Sequence, residues 1–380
     1  MARLYKLHNQ VMHYDWGSPV LIPRLMGLPE DNAPWAELWM GCHPASPSLA
    51  DTASGTISLP ELIAGDPCTY LGEKTAQRFG SLPFLFKLLA AEKPLSIQVH
   101  PNADQAREAY ERENKAGLAP GAPNRNYKDP NHKPEILCAL SPFTALCGFR
   151  EPEEINELLF SAASRLCVKL KKNNLRGFLE GLFNLSQSER EALTEFGLSL
   201  DDRPNEELHL VQTLARLYPG DPAILAPLYL NIVHLEPAEA IFLDAGVPHA
   251  YIHGFGAELM ANSDNVLRGG LTSKHIDIPE LMKVLNFTPS KPQIIRPQEQ
   301  CYTYPTPCDE FSLSVLHGTA GASTYTIHAP AICIVTEGEI SAAGTLLKQG
   351  ESAFISAENN SEITLTAHKD FTLHIASVPA

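Results

Sequence analysis

The chain has little positive charge. Twenty-nine lysines and arginines stand against 44 acidic residues, a formal net charge of -15 with pI near 5.4. A general nucleic-acid binder needs a basic face for phosphates, and an anionic membrane surface asks for the same, so neither partner is expected. No apolar run reaches the ~18 residues that cross a bilayer. The opening stretch "MARLYKLHNQVMHYDWG" lacks the unbroken apolar segment of a secretory signal. None of the eight cysteines is in CxxC spacing, and a chain of 380 residues does not need a disulfide framework. They are expected to be mostly buried free thiols in a reducing cytoplasm. There is no P-loop pattern. The GxG of "HGFGAE" (253–258) has no strand-to-helix setting, so neither an NTPase nor a dinucleotide site is supported. Fixed-period repeats and low-complexity tracts are also absent.

What is present is an ordinary globular balance, 44% hydrophobic and 19% charged, able to bury a core. The length suits two or three domains of roughly 100–200 residues. "LPFLFKLLAAEKPLSIQVHP" (82–101) reads as buried core leading into a strand. "NADQAREAYERENKAG" (102–117) reads as a solvated helix capped by Asn102 and stopped by Gly117. From 151 to 218 the character changes to helical. Leu175, Phe178, Leu179, Leu182 and Phe183 lie on one helix face. "SERE" (188–191) predicts a capping box opening a helix that Gly197 ends. Leu208, Val211, Leu214 and Tyr218 predict another, stopped by "PGDP" (219–222). Strands return at 228–246, a short helix is predicted at 279–286, and the last 85 or so residues alternate as a small all-β unit. The fold class is therefore mainly β with an inserted α domain.

Four polar stretches stand out in the β parts. In "LSIQVHPN" (95–102) the period-two alternation of a strand puts Gln98 and His100 on one face, with Ser96, and Ile97 and Val99 on the other. "NHKPE" (131–135) fixes Lys133 and Glu135 beside Pro134. "LDAGVPHAYIHGFGAELM" (243–260) presents His249 from a tight turn and carries Glu258. "NSDNVLRGGLTSKH" (262–275) carries Asp264, Arg268 and Lys274. His100, Glu135 and His249 offer imidazole nitrogen and carboxylate oxygen, the donors zinc takes, and Gln98 could add a neutral amide oxygen. Each taken singly reads more readily as a hydrogen-bonded surface or core residue, and the metal reading gains only when the four are taken together. Arg268 and Lys274 in a glycine-rich loop suit a phosphate, or read as a solvated loop. Lys133, Glu258 and Asp264 are acid–base candidates or surface charges.

Taken in order, "YDWGS", "AELWMGCHP", "SIQVHPN", "NHKPE" and "AGVPHAYIHG…ELMANSDNVLRGGLTSKHID" resemble the type I phosphomannose isomerases over about residues 5–285. The resemblance implies cupin-type jelly rolls with a helical insertion. Its domains would be a catalytic jelly roll (1–150 and 226–295), the helical insertion (151–225) and a C-terminal β jelly roll (296–380). It implies one Zn2+ per chain on Gln98, His100, Glu135 and His249, and interconversion of mannose 6-phosphate and fructose 6-phosphate through a cis-enediol. Lys133 or Glu258 would shuttle the proton, Arg268 would stabilise the enediolate or the phosphate, and His100 and Asp264 would assist ring opening. Ser96, Lys87 and Lys274 would contact phosphate. One departure is Thr272-Ser273-Lys274, where the family commonly reads Thr-Pro-Lys, which leaves Lys274 the least secure position. The partner expected is a small sugar phosphate and the chain is expected to be a monomer. Two rivals keep the same residues: a metal-dependent cupin dioxygenase, and a non-catalytic β-protein that binds a sugar phosphate.

Overall fold

A computed structural model describes residues 3–162, 174–200, 205–327, 329–357 and 361–379. The architecture is mainly β, with a run of helices between Pro152 and Tyr229. Further short helices at Leu21–Leu25, Leu59–Gly65, Pro67–Leu71 and Glu73–Phe79 were not expected from the sequence. Every strand pairing among the described residues is antiparallel. The first sheet has 11 strands, and its main path runs Ile294–Ile295, Ala240–Leu243, Glu135–Ala139, His249–Ala261, Phe84–Ala91, Glu37–Gly41, Gln10–Met12. The start of His249–Ala261 also pairs with Phe143–Phe149 and with the two-residue strand Gln98–Val99, which in turn pairs with Leu267–Arg268. An eight-stranded sheet gathers most of the C-terminal strands, and the N-terminal strand Leu4–His8 lies inside it between Ser352–Ile355 and Leu49–Thr52. A four-stranded sheet completes the β structure.

Strand Phe84–Ala91 is buried at every position, which explains its unbroken apolar reading. Its two faces differ. Phe84, Phe86, Leu88 and Ala90 pack with Ile136, Cys138, Ala257 and Leu259 against Leu313, Ile332 and Phe354 of the C-terminal sheet. Lys87 and Leu89 point the other way, into the interior of the first β unit, as do Glu135, Leu137 and Glu258. Ile97 and Val99 enter a third core with Leu179, Leu182 and Phe183 of the helical segment. The single face of Gln98 and His100 is thus turned away from the helices.

The helices form largely where periodicity places them. Ala103–Lys115 opens with a complete capping box between Asn102 and Gln105, and Gly117 follows with φ +73°. Leu175–Phe183 buries all five residues of its apolar face. Three expectations are corrected. The capping box of helix Gln187–Leu198 is Ser186 with Glu189, two residues earlier than "SERE", because the Ser186 hydroxyl reaches the Glu189 N–H while the Glu189 carboxylate accepts from Ser186 N at 2.7 Å. Gly197 does not stop that helix. It lies in the last turn, where a Cβ would come 2.7 Å from the Ala215 Cβ, so glycine there permits close helix packing. The opening strand is also shorter than 96–100: only Gln98–Val99 is laddered. Cys138, Cys147 and Cys333 are buried, Cys42 and Cys308 half-buried, Cys68 and Cys301 exposed, all unpaired; Cys167 lies outside the described residues. No helix among the described residues is long and apolar enough to cross a membrane.

Two outcomes follow from this packing. Gly254 sits in the long strand at φ +132°, where a Cβ would fall 2.8 Å from the Phe143 Cα and the Pro142 carbonyl oxygen. Gly254→Ala should cost about 2 kcal/mol or more, from strain and the forced shift of a neighbouring backbone; a urea midpoint equal to wild type would refute this. His374 is buried between the two large sheets, and burial, followed by His317, lowers its pKa from 6.5 to about 3. A depressed histidine pKa means the unfolded chain takes up a proton that the fold refuses. Stability from this group is therefore full above pH 6.5 and is lost as pH falls toward 3. The slope is about 1.4 kcal/mol per pH unit. His374→Asn should flatten the acid limb of a stability–pH curve by about that slope, and an unchanged limb would assign acid sensitivity elsewhere.

Candidate metal centre

Three buried side chains from three strand ends meet inside the first β unit. Glu135 opens Glu135–Ala139, His249 opens His249–Ala261, and His100 follows Gln98–Val99. The turn before His249 is tied to the segment of His100 by the Gly246 N–H, which donates to the His100 carbonyl at 2.8 Å, and Gly246 takes φ +78° to do so. His100 Nδ1 donates to the Asn265 carbonyl at 2.8 Å and His249 Nδ1 to the Val247 carbonyl at 3.0 Å. A carbonyl only accepts, so both rings carry their proton on Nδ1 and turn an Nε2 lone pair inward. Both Nε2 atoms lie 3.4 Å from Oε2 of Glu135. His100 Nε2 is fully buried and makes no hydrogen bond. Burial is the main cause that lowers the His100 pKa to about 4; Glu135 opposes it and Lys133 adds to it. Burial would raise the Glu135 carboxyl, but Lys133 and His100 outweigh it and hold it well below the carboxylate range.

The donor atoms of His100, Glu135 and His249 all lie within 4.8 Å of one another. Two lone pairs aimed at a carboxylate oxygen, with no hydrogen between them, are repulsive unless a cation stands there. The set fits a divalent ion of the zinc type. Gln98, the Cα partner of His249, lines the cavity that Glu135 and His249 also line.

That cavity, about 90 Å3, lies beside the donors and holds a second polar group. Lys87 lies in register between Trp39 on one strand and Glu258 on the other. Its Nζ is 3.0 Å from Glu258 and 3.6 Å from Glu37. Burial would lower its pKa, but Glu258, Glu37 and Glu135 raise it above the ordinary lysine value. Tyr251 donates to the other Glu258 oxygen at 2.7 Å, and Trp39 donates to Glu37 at 2.7 Å. Lys133 Nζ lies 3.0 Å from Glu135 Oε1. Lys87, Lys133 and Glu258 are therefore all buried in one pocket.

The remaining expected residues lie outside the lining of that cavity, and Lys274 lines a separate one with Asp221 and Thr272. Asp264 is exposed at 3.3 Å from the buried His43, whose hydrogen bond is the main cause lowering the Asp264 pKa. Arg268 is half-buried and is the Cα partner of Gln98. Lys274 is exposed, and its pKa is lowered by burial first, then by the cations Arg268 and Lys128. Ser96 is half-buried two residues before Gln98. Glu37, Trp39, His43, Tyr251 and Lys128 were not singled out from sequence. Alternation in "AELWMGCHP" puts Glu37 and Trp39 on one face and was the available signal. Lys128, in a proline-rich loop, gave none.

A family model for the catalytic domain of type I phosphomannose isomerase matches residues 4–152. The mannose-6-phosphate isomerase of Escherichia coli is 41% identical over 96% of this chain and 97% of its own. That of Homo sapiens is 33% identical over 98% and 97%. A zinc-bound crystal structure of mannose 6-phosphate isomerase superposes with a TM-score of 0.92 at 38% identity, covering 99% of this chain and 100% of the other. The Salmonella typhimurium enzyme bound to fructose 6-phosphate and zinc gives the same TM-score, identity and coverage. A conserved scaffold of this extent, carrying the site just described, places the chain in a family: it belongs to the type I phosphomannose isomerases.

Proposed function

We propose that this chain interconverts mannose 6-phosphate and fructose 6-phosphate with one zinc ion held by Gln98, His100, Glu135 and His249. The observation that carries the reading is the convergence of two buried imidazole lone pairs and one carboxylate in a polar cavity. When bound there, zinc supplies Lewis acidity to the sugar O1 and O2 as charge develops on them. The protein's own groups do the rest. The proton must leave one carbon and return to its neighbour through a cis-enediol. Both oxygens of Glu258 already accept hydrogen bonds, from Lys87 and Tyr251. Among the described residues Lys133 has one ion-pair partner, Glu135. The proton is therefore assigned to Lys133 Nζ, and Glu258 with Lys87 forms the fixed polar wall that keeps water and sugar in place. Lys87 is then a wall residue more than a phosphate contact.

Arg268 and Lys128 both act on Lys274 as like charges. No side chain of the three has an ion-pair partner among the described residues. Unpaired cations on a protein with net charge -15 suit a dianionic phosphate, with Ser96 beside them. Asp264, steadied by His43, is assigned to ring opening. His100, expected to share that task, has its Nδ1 bonded to the Asn265 carbonyl and its Nε2 in the metal donor set, so it is left to the metal. A dioxygenase would leave the three cations without a task. The division into 1–150 with 226–295, 151–225 and 296–380 is retained as a working description, with strand Leu4–His8 crossing into the last. A monomer in a reducing cytoplasm, where unpaired thiols persist, completes the reading.

Two measurements test it. Isomerisation of mannose 6-phosphate should disappear on chelation and return with zinc. Glu135→Gln and His249→Ala should each retain zinc more than about tenfold less tightly, read as metal per chain after dialysis; full activity in metal-free protein would end the proposal. Separately, Arg268→Ala, Lys274→Ala and Lys128→Ala should each raise KM by about tenfold or less. Added salt should raise the wild-type KM in the same direction, and a KM indifferent to all three substitutions would place the phosphate elsewhere.

A further inference from the structure

The loop that carries Arg268 and Lys274 has no helix or long strand of its own. Two flanking contacts hold it. On one side the Ile97 N–H donates to the Gly270 carbonyl at 3.0 Å and the Gly269 N–H to the Ile97 carbonyl at 2.8 Å. That fixes the loop to the segment of Gln98. On the other side stands Asp221, in the "PGDP" turn that leaves the last helix of the helical segment. One carboxylate oxygen accepts from the Ala223 N–H at 2.9 Å and the other from the Thr272 N–H at 3.2 Å. The Leu271 N–H also bonds to it.

The turn itself is anchored. Gly220 N–H donates to Thr194 Oγ1 at 2.8 Å, and the Tyr218 hydroxyl donates to the Pro94 carbonyl at 2.6 Å. The loop bends tightly against it. Gly270 has φ +122°, and a Cβ there would fall 2.1 Å from the Ala223 Cβ and 3.1 Å from Asp221 Oδ1. Leu271, a non-glycine residue, is held at φ +54° and is buried. Lys274 N–H then donates to Thr272 Oγ1 at 3.1 Å, so the position of Thr272 passes directly to Lys274. A left-handed leucine, and a positive-φ glycine pressed on the Ala223 side chain, are conformations that persist only when surrounding contacts over-determine them. Asp221 supplies those contacts.

We propose that Asp221 is a positioning residue: it ties the exit of the helical segment to the Gly270–Thr272 bend and so sets Lys274, and through the bend Arg268, where the sugar phosphate's anionic group binds. This rests on the assignment of Arg268 and Lys274 to phosphate. The ligand chemistry is a phosphate dianion, and Asp221 acts on it only through the loop. A carboxylate is required because two or more N–H donors converge on it; an amide offers one acceptor oxygen and turns a donor toward the second N–H.

The test uses the zinc-loaded full chain. KM and kcat for mannose 6-phosphate are measured with the inhibition constant of inorganic phosphate, for wild type, Asp221→Asn and Asp221→Ala. A loop displaced from the anion should raise KM and the phosphate inhibition constant together, by about fivefold to tenfold. The alanine variant should exceed the asparagine variant, kcat should change by less than about twofold, and bound zinc should be unchanged. A residue that served only stability would lower the melting temperature and leave KM alone, and that result overturns the proposal. Should the Asp221 variants fail to fold, Gly270→Ala disturbs the same bend from the other side and must show the same KM-selective loss. If Arg268→Ala and Lys274→Ala raise KM while the Asp221 and Gly270 variants do not, the positioning role is wrong and the phosphate assignment stands. If none of them does, the phosphate assignment fails first and this inference falls with it.

Discussion

Everything at the site depends on the pairing of one strand, His249–Ala261. Its first residues pair with Gln98 and with Phe143–Phe149, and its later residues pair with Phe84–Ala91 and Glu135–Ala139. One run of backbone hydrogen bonds therefore sets the spacing of Gln98, Glu135, His249, Lys87 and Glu258. A strand keeps alternate side chains on opposite faces, so His249 and Glu258, nine residues apart, should point opposite ways. They do not. The register shifts between Tyr251 and His253, where Ile252 is the extra residue. One extra residue reverses the alternation. His249 and Tyr251 before the shift and Glu258 after it then line the same cavity. The positive φ of Gly254 bends the strand at that point so that it can join two sets of partners.

That constraint explains what could be read from the sequence. The alternation of Ser96 to His100 was legible, because Ile97 and Val99 had to enter a core while Gln98 and His100 did not. The apolar stripes of 175–183 and 206–217 were legible for the same reason. Motif order then supplied the metal set. The reversal at Ile252 was not legible. A bulge carries no residue signature beyond a nearby glycine, and "HGFGAE" offers two. The partnership of Lys87 with Glu37 and Glu258 was also hidden. It needs three strands in register, and sequence gives the strands without the register. The displaced capping box shows a smaller ambiguity of the same kind: Ser186 and Ser188 each precede an acidic residue by three, and only packing selects between them. Asp221 read as part of a helix stop because its second task lies on a loop about fifty residues away.

The buried charges show why the arrangement is kept. Glu37, Glu135 and Glu258 face Lys87 and Lys133 inside one cavity. Burying charged pairs gains little stability over apolar packing, and losing one member of a buried pair costs about 3–5 kcal/mol. A core built only for stability would replace them. Their formal charges sum to one negative unit, which a divalent ion reverses to one positive unit. An interior made positive in this way favours an oxyanion developing on a bound sugar. The pairing also keeps each group still: Lys87 cannot turn without abandoning Glu258 and Glu37, and Glu258 cannot turn without abandoning Tyr251. Fixed dipoles need no reorganisation when charge moves.

The charges outside the cavity obey a different rule. A net charge of -15 repels a sugar phosphate at long range. Lys128, Arg268 and Lys274 interrupt that field, and no side chain of the three has an ion-pair partner among the described residues, although Lys128 is close enough to Asp264 to lower its pKa. Burial lowers the Lys274 pKa first, and repulsion from Arg268 and Lys128 lowers it further. A dianion relieves that repulsion, so part of the binding energy is the release of strain already present in the free protein. The cations can be held close only if their backbone is fixed, because mutual repulsion would otherwise spread a glycine-rich loop. The hydrogen bonds from Ile97 on one side and to Asp221 on the other oppose that spreading. With the phosphate at this loop, as proposed, substrate affinity would be tied to the same backbone that aligns Gln98 with His249, and the phosphate end and the metal end of the sugar would be measured against one frame.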